Sequence, residues 1–401
     1  MVKRNQHIAK LQPSYLFVQI NEKKKAHLVK KPLAKLISLG IGDTTQPLFK
    51  ELTESITSYA TSLGTKEGYS GYSEWNGPED LRKSIAKQFY DDKVSPDEIV
   101  LSDGSKPDLA RIQLLFDHRV SIAVQDPVYP AYVDQAVIAG KTGTFDTEKQ
   151  QYGNVVYLPC TPENNFFPDL NVPRTDLIFF CSPNNPTGAC ATRDQLTKLV
   201  NHALENNSII IFDSAYREFI VDPSIPKTIY EIPGAEKCAL ETSSFSKLVG
   251  FTGVRLGWTV CPKKVLYEDG QPVYDDWKRV MGTTFNGASN VALEGGRATL
   301  ANLDGMRKYI AYYMENAKVL RAVLEKKGLP IYGGDNSPYL WVKIVGKSSW
   351  DLFNSLLEQV DIVCTPGSGF GSCGEGFVRF SCFASHESVA EAAKRLETWN
   401  P

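Results

Sequence analysis

The sequence has little from which to build a metal site or a disulfide framework. Among 401 residues there are five histidines and eight cysteines, and no two cysteines form a C-x-x-C pair. Scattered histidines offer few ligands for a metal ion. The cysteines lie mostly in apolar runs, which is typical of reduced, buried thiols in a cytosolic protein. We therefore expect no metal, no disulfide and a cytoplasmic location.

The sequence also lacks an excess of charge of either sign. It has 44 lysines and arginines against 46 acidic residues, a formal net charge of −2. This balance leaves no electrostatic footprint for nucleic acid or for an anionic membrane. No stretch approaches the ~18 apolar residues of a membrane span, and the polar, basic N-terminus has no apolar signal region. Small-molecule chemistry is the function class that these absences favour.

Short apolar stretches alternate with longer periodic segments from about residue 98 onward, which is typical of βαβ units around a mainly parallel sheet. Each predicted strand is followed by polar or glycine-bearing residues. Because ligands of such sheets bind beyond the carboxyl ends of the strands, we expect these clusters to meet at one crevice. The predicted strands are Glu98–Leu101, Ser121–Gln125, Leu177–Cys181, Ile209–Phe212 and Ala239–Thr242.

The clusters after these strands suit different parts of one ligand. The sequence Gly-Ser-Lys at 104–106 offers free backbone N–H groups for a phosphate. Asp213 could pair with a protonated pyridine nitrogen, the role that a pyridoxal phosphate site requires. Asn185 and Tyr216 could donate to a ring oxygen, and Tyr129 could stack on a ring. Each also has a plainer interpretation as a turn, a helix cap or core.

Lys247 follows the last predicted strand and is flanked by hydroxyls, in Ser-Ser-Phe-Ser-Lys at 243–247. A free lysine amine, with a pKa near ~10.4, is a poor nucleophile at neutral pH unless it is desolvated or lies beside cations. Arg255, eight positions further on, and the serines could supply that environment while binding a phosphate. The alternative is a solvated surface lysine.

A short apolar stretch at 37–41 ends in a turn that contains Gly40 and Gly42. No third glycine follows at the start of a helix, so the turn is not a dinucleotide fingerprint. A backbone that approaches a ligand closely and an ordinary turn remain open alternatives.

Taken together, these motifs resemble the fold-type I aminotransferases that use pyridoxal 5′-phosphate. Asn-Pro-Thr-Gly at 185–188, Asp-x-x-Tyr at 213–216, Ser-x-Ser-Lys at 244–247 and Gly-x-Arg-x-Gly at 253–257 occur in the family's order. The resemblance implies an α/β fold: a large domain with a mainly parallel seven-stranded sheet flanked by helices, and a smaller α+β domain. It implies that Lys247 forms the Schiff base. The cofactor residues that it implies are Ser105, Lys106, Tyr129, Asn185, Asp213, Tyr216, Ser244, Ser246, Arg255, Tyr72 and Asn286.

Finer motifs, such as Thr-Thr-Phe-Asn-Gly at 283–287 and Lys106, resemble the subgroup that acts on LL-diaminopimelate. That resemblance implies diaminopimelate, glutamate and 2-oxoglutarate as small-molecule partners, with tetrahydrodipicolinate as the keto product. It also implies a homodimer with shared active sites, into which Tyr15, Tyr72 and Asn286 reach from the other subunit. The substrate residues that it implies are Tyr15, Gly42, Glu74, Lys106, Tyr129, Asn185, Asn286 and Arg379.

One stretch departs from the subgroup's pattern. Where the family usually has Gly-Pro-acid, this chain has Ser-Glu-Trp at 73–75, so Glu74 is one position early and Trp75 occupies the place of the acid. Glu74 could bind the distal ammonium of the substrate or could decorate a solvent loop. A related enzyme for lysine, an aromatic amino acid or a β-elimination substrate therefore remains an alternative. A non-catalytic regulatory module is another.

The resemblance also implies how the chain is divided. We expect residues 1–44 to be an N-terminal segment that packs back onto the small domain, residues 45–287 to form the large cofactor-binding domain, and residues 288–401 to form the small domain. The apolar stripe from Met306 to Leu324 has helical spacing and indicates ordinary core.

Overall fold

The computed structural model describes residues 1–12 and 15–401, with the backbone alone at Tyr15 and Phe17. The helices of this part of the chain are α1 Tyr15–Lys30, α2 Lys50–Ser62, α3 Glu79–Tyr90, α4 Ser105–Ile112, α5 Ala131–Ile138, α6 Arg193–Asn206, α7 Phe245–Leu248, α8 Val273–Thr284, α9 Asn290–Ala301, α10 Leu303–Met306, α11 Lys308–Lys326, α12 Ser349–Val360 and α13 His386–Thr398. The strands are β1 Ile37–Ser38, β2 Ile99–Ser102, β3 Ile122–Asp126, β4 Phe145–Asp146, β5 Gln151–Tyr152, β6 Val155–Pro159, β7 Leu177–Cys181, β8 Ile209–Asp213, β9 Ala239–Ser244, β10 Gly257–Val260, β11 Ile331–Gly333, β12 Tyr339–Lys343, β13 Ile362–Val363, β14 Thr365–Pro366 and β15 Phe377–Ser381.

Within the described residues, seven strands form the large sheet, in the order β2–β10–β9–β8–β7–β3–β6. Strand β10 runs antiparallel to both of its neighbours, and the other adjacent pairs are parallel. The five predicted strands are present as β2, β3, β7, β8 and β9, and their bounds differ from the prediction only at the ends. Because these five strands share one direction, their carboxyl ends lie along the same edge of the sheet.

Apolar side chains cover both faces of the large sheet, as expected for strands buried between helices. On β7, Phe180 belongs to the core of one face and Phe179 to the core of the other. Phe180 stacks on Phe212 of β8, with ring centroids 6.3 Å apart. Burying each such ring contributes roughly 1.5–3 kcal/mol. This packing fixes β7 and β8 against each other, and with them the residues at their ends.

A second core surrounds the antiparallel sheet β11–β12–β15–β14 and includes side chains of α12 and α13. Leu16 and Ile20 of α1 and Ile37 of β1 pack into this core, and β1 pairs in parallel with β13. Helix α11 joins the two cores: its first turns pack with the large sheet, whereas Leu320 and Leu324 pack with the small one. The division into 1–44, 45–287 and 288–401 stays a prediction.

Helix α6 begins with a capping box. The Thr192 hydroxyl accepts a hydrogen bond from the Gln195 N–H at 3.2 Å, and the Gln195 carboxamide oxygen accepts one from the Thr192 N–H at 2.9 Å. The helix ends at Asn206, and the next residue, Asn207, is left-handed at φ +50°. A Ser or Thr N-cap is worth about 1 kcal/mol, so this local signal sets where the helix starts.

All eight cysteines are free thiols, and six of them are buried. In the described ranges 1–12 and 15–401 there is no cluster of His, Cys, Asp or Glu that could hold a metal ion. None of the helices described is both long and apolar enough to cross a membrane.

Candidate active site

A cavity of about 560 Å³ opens at the edge of the large sheet where the parallel strands end. Residues from all five clusters that follow the predicted strands contribute to its wall. The clusters therefore meet at one crevice. The predicted site residues in the wall are Gly42, Ser105, Lys106, Tyr129, Asn185, Asp213, Tyr216, Ser244, Ser246, Lys247, Arg255 and Arg379.

Lys247 lies in α7, directly after β9. Its amine donates a hydrogen bond to the Gly42 carbonyl. Burial lowers the pKa of Lys247 to about 8; the charge of Asp43 opposes this shift, and the charges of Arg379 and Arg255 add to it. An amine in this state loses its proton far more readily than a surface lysine, which makes it a candidate nucleophile near neutral pH.

The start of α4 and the turn after β9 form a cradle of hydrogen-bond donors. The Ser105 hydroxyl is buried and makes no hydrogen bond to any described residue. Arg255 donates to the Ser246 hydroxyl at 3.2 Å, and the Ser244 hydroxyl donates to the same oxygen at 2.9 Å. Gly104 has φ +119°, and a Cβ there would overlap the Arg255 guanidinium, so glycine allows this close approach. Free N–H groups, three hydroxyls and a guanidinium suit a phosphate.

Asp213 ends β8 and is 7% exposed. The Tyr132 hydroxyl donates to its Oδ2 at 2.7 Å, and the Ala215 N–H donates to its Oδ1 at 3.0 Å. Burial raises the pKa of Asp213, while these two hydrogen bonds lower it and the negative charge of Glu241 raises it further. A carboxylate of this kind at the wall of a cavity can pair with a protonated ring nitrogen.

Asn185 and Tyr216 enter the cavity from the loops that follow β7 and β8. The Asn185 carbonyl oxygen accepts a hydrogen bond from Arg379 at 2.6 Å, so its amide nitrogen is the group left as a donor. The Tyr216 hydroxyl lies 2.6 Å from that of Tyr339. Burial and the neighbouring Tyr339 raise the pKa of Tyr216, which therefore stays protonated and able to donate. Two such donors suit an anionic ring oxygen.

Arg379 is 3% exposed and is held from several sides. One terminal nitrogen donates to Asn185 and the other to the Gly40 carbonyl at 2.7 Å. The guanidinium carbon lies 4.4 Å from the ring centroid of Tyr339 and 4.8 Å from that of Phe370. A guanidinium fixed between two aromatic rings is prepared for bidentate contact with a carboxylate.

The segment after β3 is joined to the segment 367–374 through Asp126. The buried Asp126 carboxylate accepts hydrogen bonds from the Ser372 hydroxyl at 2.7 Å and from the Cys373 N–H at 3.1 Å. The Val128 N–H also donates to the Phe370 carbonyl at 2.9 Å. These contacts connect the loop that carries Tyr129 with the loop that carries Phe370, whose ring lies against the Arg379 guanidinium.

Three predicted site residues whose side chains the structure describes are not part of the cavity wall. Tyr72 is 86% exposed, and Glu74 and Asn286 are also exposed. The side chain of Tyr15 lies outside the described residues. The roles expected for Tyr15, Tyr72 and Asn286 required a second subunit, and they stay predictions.

The segments that carry Glu74 and Asn286 are joined to each other. The Ser73 hydroxyl donates to the Ala288 carbonyl at 2.8 Å. Gly287 has φ +83°, and a Cβ there would overlap Ser73. Trp75 packs partly buried against the large-sheet core, with the Lys278 amine 5.9 Å from its ring centroid. Glu74 and Asn286 thus lie on one braced surface, and Trp75 turns toward the chain's own core.

The family model described as "Aminotransferase class I and II" matches residues 34–396 of the chain. The chain belongs to this family. An LL-diaminopimelate aminotransferase of Arabidopsis thaliana, named as chloroplastic, is 53% identical over 400 residues, which cover 99% of this chain and 87% of that protein. An LL-diaminopimelate aminotransferase of Protochlamydia amoebophila is 50% identical over 400 residues, which cover 99% of this chain and 97% of its own.

The solved structure of an L,L-diaminopimelate aminotransferase from Chlamydomonas reinhardtii has a TM-score of 0.94 to this aminotransferase at 52% sequence identity. The match covers 100% of this chain and 99% of that one. The resemblance and the α/β fold predicted from the sequence are therefore confirmed. The chain is an enzyme that transfers amino groups between small molecules, and its cofactor is pyridoxal 5′-phosphate.

The residues present fit this cofactor. The cradle of hydroxyls and Arg255 matches a phosphate, and the unpartnered Ser105 hydroxyl is a buried donor that a bound phosphate would satisfy. Lys247 supplies a desolvated amine for an aldehyde, and Asp213 supplies a carboxylate for a ring nitrogen. Each is a functional group that pyridoxal phosphate requires, and all of them line the same cavity.

Sequence reasoning missed three aromatic residues of the cavity wall: Tyr132, Tyr339 and Phe370. Tyr132 follows Tyr129 by three positions, one helical turn, so its spacing could have revealed it. Tyr339 is placed by the pairing of β12 with β15, which its own stretch of sequence does not reveal. Phe370 has no local signal, because its place beneath Arg379 depends on the packing of segments far apart in sequence.

Proposed function

We propose that this aminotransferase exchanges the amino group between LL-diaminopimelate and 2-oxoglutarate, giving tetrahydrodipicolinate and glutamate, in lysine biosynthesis. The observation that carries the proposal is that, besides Lys247 and the arginine of the phosphate cradle, the cavity wall holds two more cationic side chains, Arg379 and Lys106. Diaminopimelate, glutamate and 2-oxoglutarate each have two carboxylates, and buried carboxylates need such partners. The names of relatives at 50–53% identity support the same substrate.

The roles that we propose at the reacting end of the substrate follow from the geometry. When bound, pyridoxal phosphate supplies a conjugated ring that can accept the electron pair left at the substrate Cα. Arg379 grips the α-carboxylate and so fixes the orientation of Cα. The Lys247 amine, whose pKa is lowered to about 8 chiefly by burial, would then take the proton from Cα and deliver it to the aldehyde carbon of the cofactor, as transamination requires.

The other residues of the wall would hold and tune the cofactor. Asp213 would keep the ring nitrogen protonated, Asn185 and Tyr216 would donate to the ring oxygen, and Tyr129 would stack on the ring face. The residues that we propose for the phosphate are Ser105, Lys106, Ser244, Ser246 and Arg255. Lys106 would also reach the distal carboxylate of the substrate.

We also propose that two copies of the chain form a homodimer in which Tyr15, Tyr72 and Asn286 complete the partner's cavity. The large exposed ring of Tyr72 supports this, because an aromatic side chain left in water is more typical of an interface. A Tyr72→Phe variant mixed with a Lys247→Ala variant should regain activity through hybrid dimers, beyond the activity of either alone. A fully active monomer at assay concentration would contradict the dimer.

Glu74 is our candidate for the distal ammonium of diaminopimelate. It is exposed and borne on the same braced surface as Asn286, so a dimer would present both residues together. Trp75 packs toward the large-sheet core, which gives no support to an aromatic substrate contact at that position.

The proposed substrate is tested by measuring kcat/KM for LL-diaminopimelate, meso-diaminopimelate, lysine, aspartate and phenylalanine, each with 2-oxoglutarate. We expect LL-diaminopimelate to exceed lysine, which lacks the second carboxylate, by about 10²-fold, since a lost hydrogen bond to a charged group costs ~1.5–3 kcal/mol. A preference for lysine or phenylalanine would refute LL-diaminopimelate as the substrate, but it would not contradict the aminotransferase activity.

We further propose the division into an N-terminal segment 1–44, a large domain 45–287 and a small domain 288–401. The two separate hydrophobic cores support it, with α1 and β1 packed in the second. A cytoplasmic location is supported by the free cysteines. Limited proteolysis would test the domain boundaries, and fractionation of cells would test the location.

A further inference from the structure

Tyr132 is fixed in place by two other aromatic rings. It is 1% exposed, and its ring stacks on Phe179, with centroids 5.6 Å apart and planes 23° from parallel. The ring of Tyr129 meets it edge-on at 5.7 Å and 85°. Residue 132 is in the first turn of α5, and residue 129 lies in the loop just before that helix. The position of the hydroxyl is therefore set by packing and not by a flexible side chain.

That hydroxyl is one of two donors that the described residues direct at the Asp213 carboxylate. Tyr132 donates to Oδ2 at 2.7 Å, and the Ala215 N–H donates to Oδ1 at 3.0 Å. The one charged side chain of the described residues that acts on Asp213 is Glu241, which carries the same sign. Cys181 and Tyr129 are the other titratable groups beside Tyr132. Because no cation of the described residues acts on Asp213, the carboxylate depends on its hydrogen bonds to remain charged.

We propose that Tyr132 is a positioning residue that keeps the Asp213 carboxylate ionised and oriented toward the cofactor ring nitrogen. Burial raises the pKa of Tyr132 well above its ordinary value, so the hydroxyl remains a donor throughout the working range. Because the Tyr132 ring also touches Tyr129, this one side chain positions both Asp213, the proposed partner of the ring nitrogen, and Tyr129, the proposed stacking residue. The inference rests on the cofactor and is independent of the substrate.

The chain offers a matched control for this role. Tyr152 is also buried, and its hydroxyl donates to the Lys10 carbonyl at 3.0 Å. Tyr152 does not line the cavity. Replacing Tyr152 with phenylalanine removes a buried tyrosine hydrogen bond that involves neither Asp213 nor the charged group acting on it. A general loss of stability would follow from either substitution, but a change at the cofactor ring would follow only from Tyr132→Phe.

The experiment compares the wild type, Tyr132→Phe and Tyr152→Phe, each stripped of cofactor and titrated with pyridoxal 5′-phosphate. We expect Tyr132→Phe to weaken cofactor binding by about tenfold or more, the scale of a hydrogen bond to a charged group. The ring nitrogen should be less protonated, and the pKa values of the other titratable groups on the bound cofactor should be higher. The pH midpoint of the visible absorbance of the loaded protein should therefore move to higher pH. With glutamate, kcat should fall more than KM changes.

In Tyr152→Phe, cofactor affinity, the absorbance midpoint and kcat should match those of the wild type, even if its melting temperature falls. Unchanged cofactor affinity and absorbance midpoint in Tyr132→Phe would overturn the proposal. Equal changes in the two variants would overturn it as well, because they would reveal a purely structural role. If the wild type itself failed to bind pyridoxal phosphate in the titration, the cofactor assignment would be wrong, and the proposal for Tyr132 with it.

Discussion

The desolvated state of Lys247 leads to a quantitative prediction about its reactivity. Its pKa lies at about 8, against an ordinary value of 10.5, with burial as the largest cause. At pH 7 roughly one amine in ten is then neutral, against roughly three in ten thousand for an ordinary lysine, a gain of about 300-fold in the reactive form. Since Arg379 also lowers this pKa, replacing that arginine with methionine should move it upward.

The assay mixes cofactor-free protein rapidly with pyridoxal 5′-phosphate and follows the absorbance of the Lys247 adduct from pH 6 to about pH 10. The second-order rate constant should rise with pH and level off above a midpoint near 8. Arg379→Met should shift the midpoint to higher pH, whereas Arg193→Met, a change at an exposed surface arginine, should leave it in place. A wild-type rate still rising steeply at pH 9.5 to about 10 would refute a desolvated Lys247.

Three further results follow from the same site. Lys247→Ala should bind pyridoxal phosphate without a covalent bond and lose transamination, because the attachment point and the proton carrier are both gone; retained turnover would contradict this. Glu74→Gln should weaken diaminopimelate by ~1.5–3 kcal/mol and spare glutamate, which has no distal ammonium, while the exposed acid Glu67→Gln should affect neither; equal losses on both substrates would point elsewhere. Ser372→Ala removes a hydrogen bond to the buried Asp126 carboxylate at the end of β3 and should raise KM for amino acids several-fold, by ~1 kcal/mol. Ser121→Ala removes a similar hydrogen bond, to Asp176, and should leave KM unchanged.

The large sheet could be predicted from the sequence because its strands are buried on both faces and are separated by strong turn and cap signals. The apolar run Leu177–Cys181 and the capping box at Thr192 each act locally, so a short window contains the information. Parallel direction then brings the strand ends together, and with them residues as distant as Ser105 and Lys247.

The rest of the site depends on contacts that no short window contains. Phe370 reaches the cavity because the residues that follow it, Ser372 and Cys373, donate hydrogen bonds to Asp126, more than two hundred residues earlier in the chain. Tyr339 is placed by pairing of β12 with β15, which brings it beside Arg379. Such positions are set by the packing of the two cores against each other, and sequence periodicity carries no information about that packing.

The roles of Tyr72, Glu74 and Asn286 could be predicted from the resemblance but not from the geometry of a single chain. All three are exposed, and their segments are braced by the bond from Ser73 to Ala288. Their chemistry depends on what a second copy brings, which is a property of the assembly and not of the fold of one chain.

The central claim, that Lys247 is the amine that holds and serves the cofactor, is tested most directly by trapping the covalent bond. The protein loaded with pyridoxal 5′-phosphate is reduced with borohydride and digested, and the modified peptide is identified by mass spectrometry. Lys106 is the informative rival, because it lines the same cavity. We predict that the cofactor mass is found on the peptide that contains Lys247. A cofactor mass on Lys106 or another lysine, with Lys247 unmodified, would contradict the account.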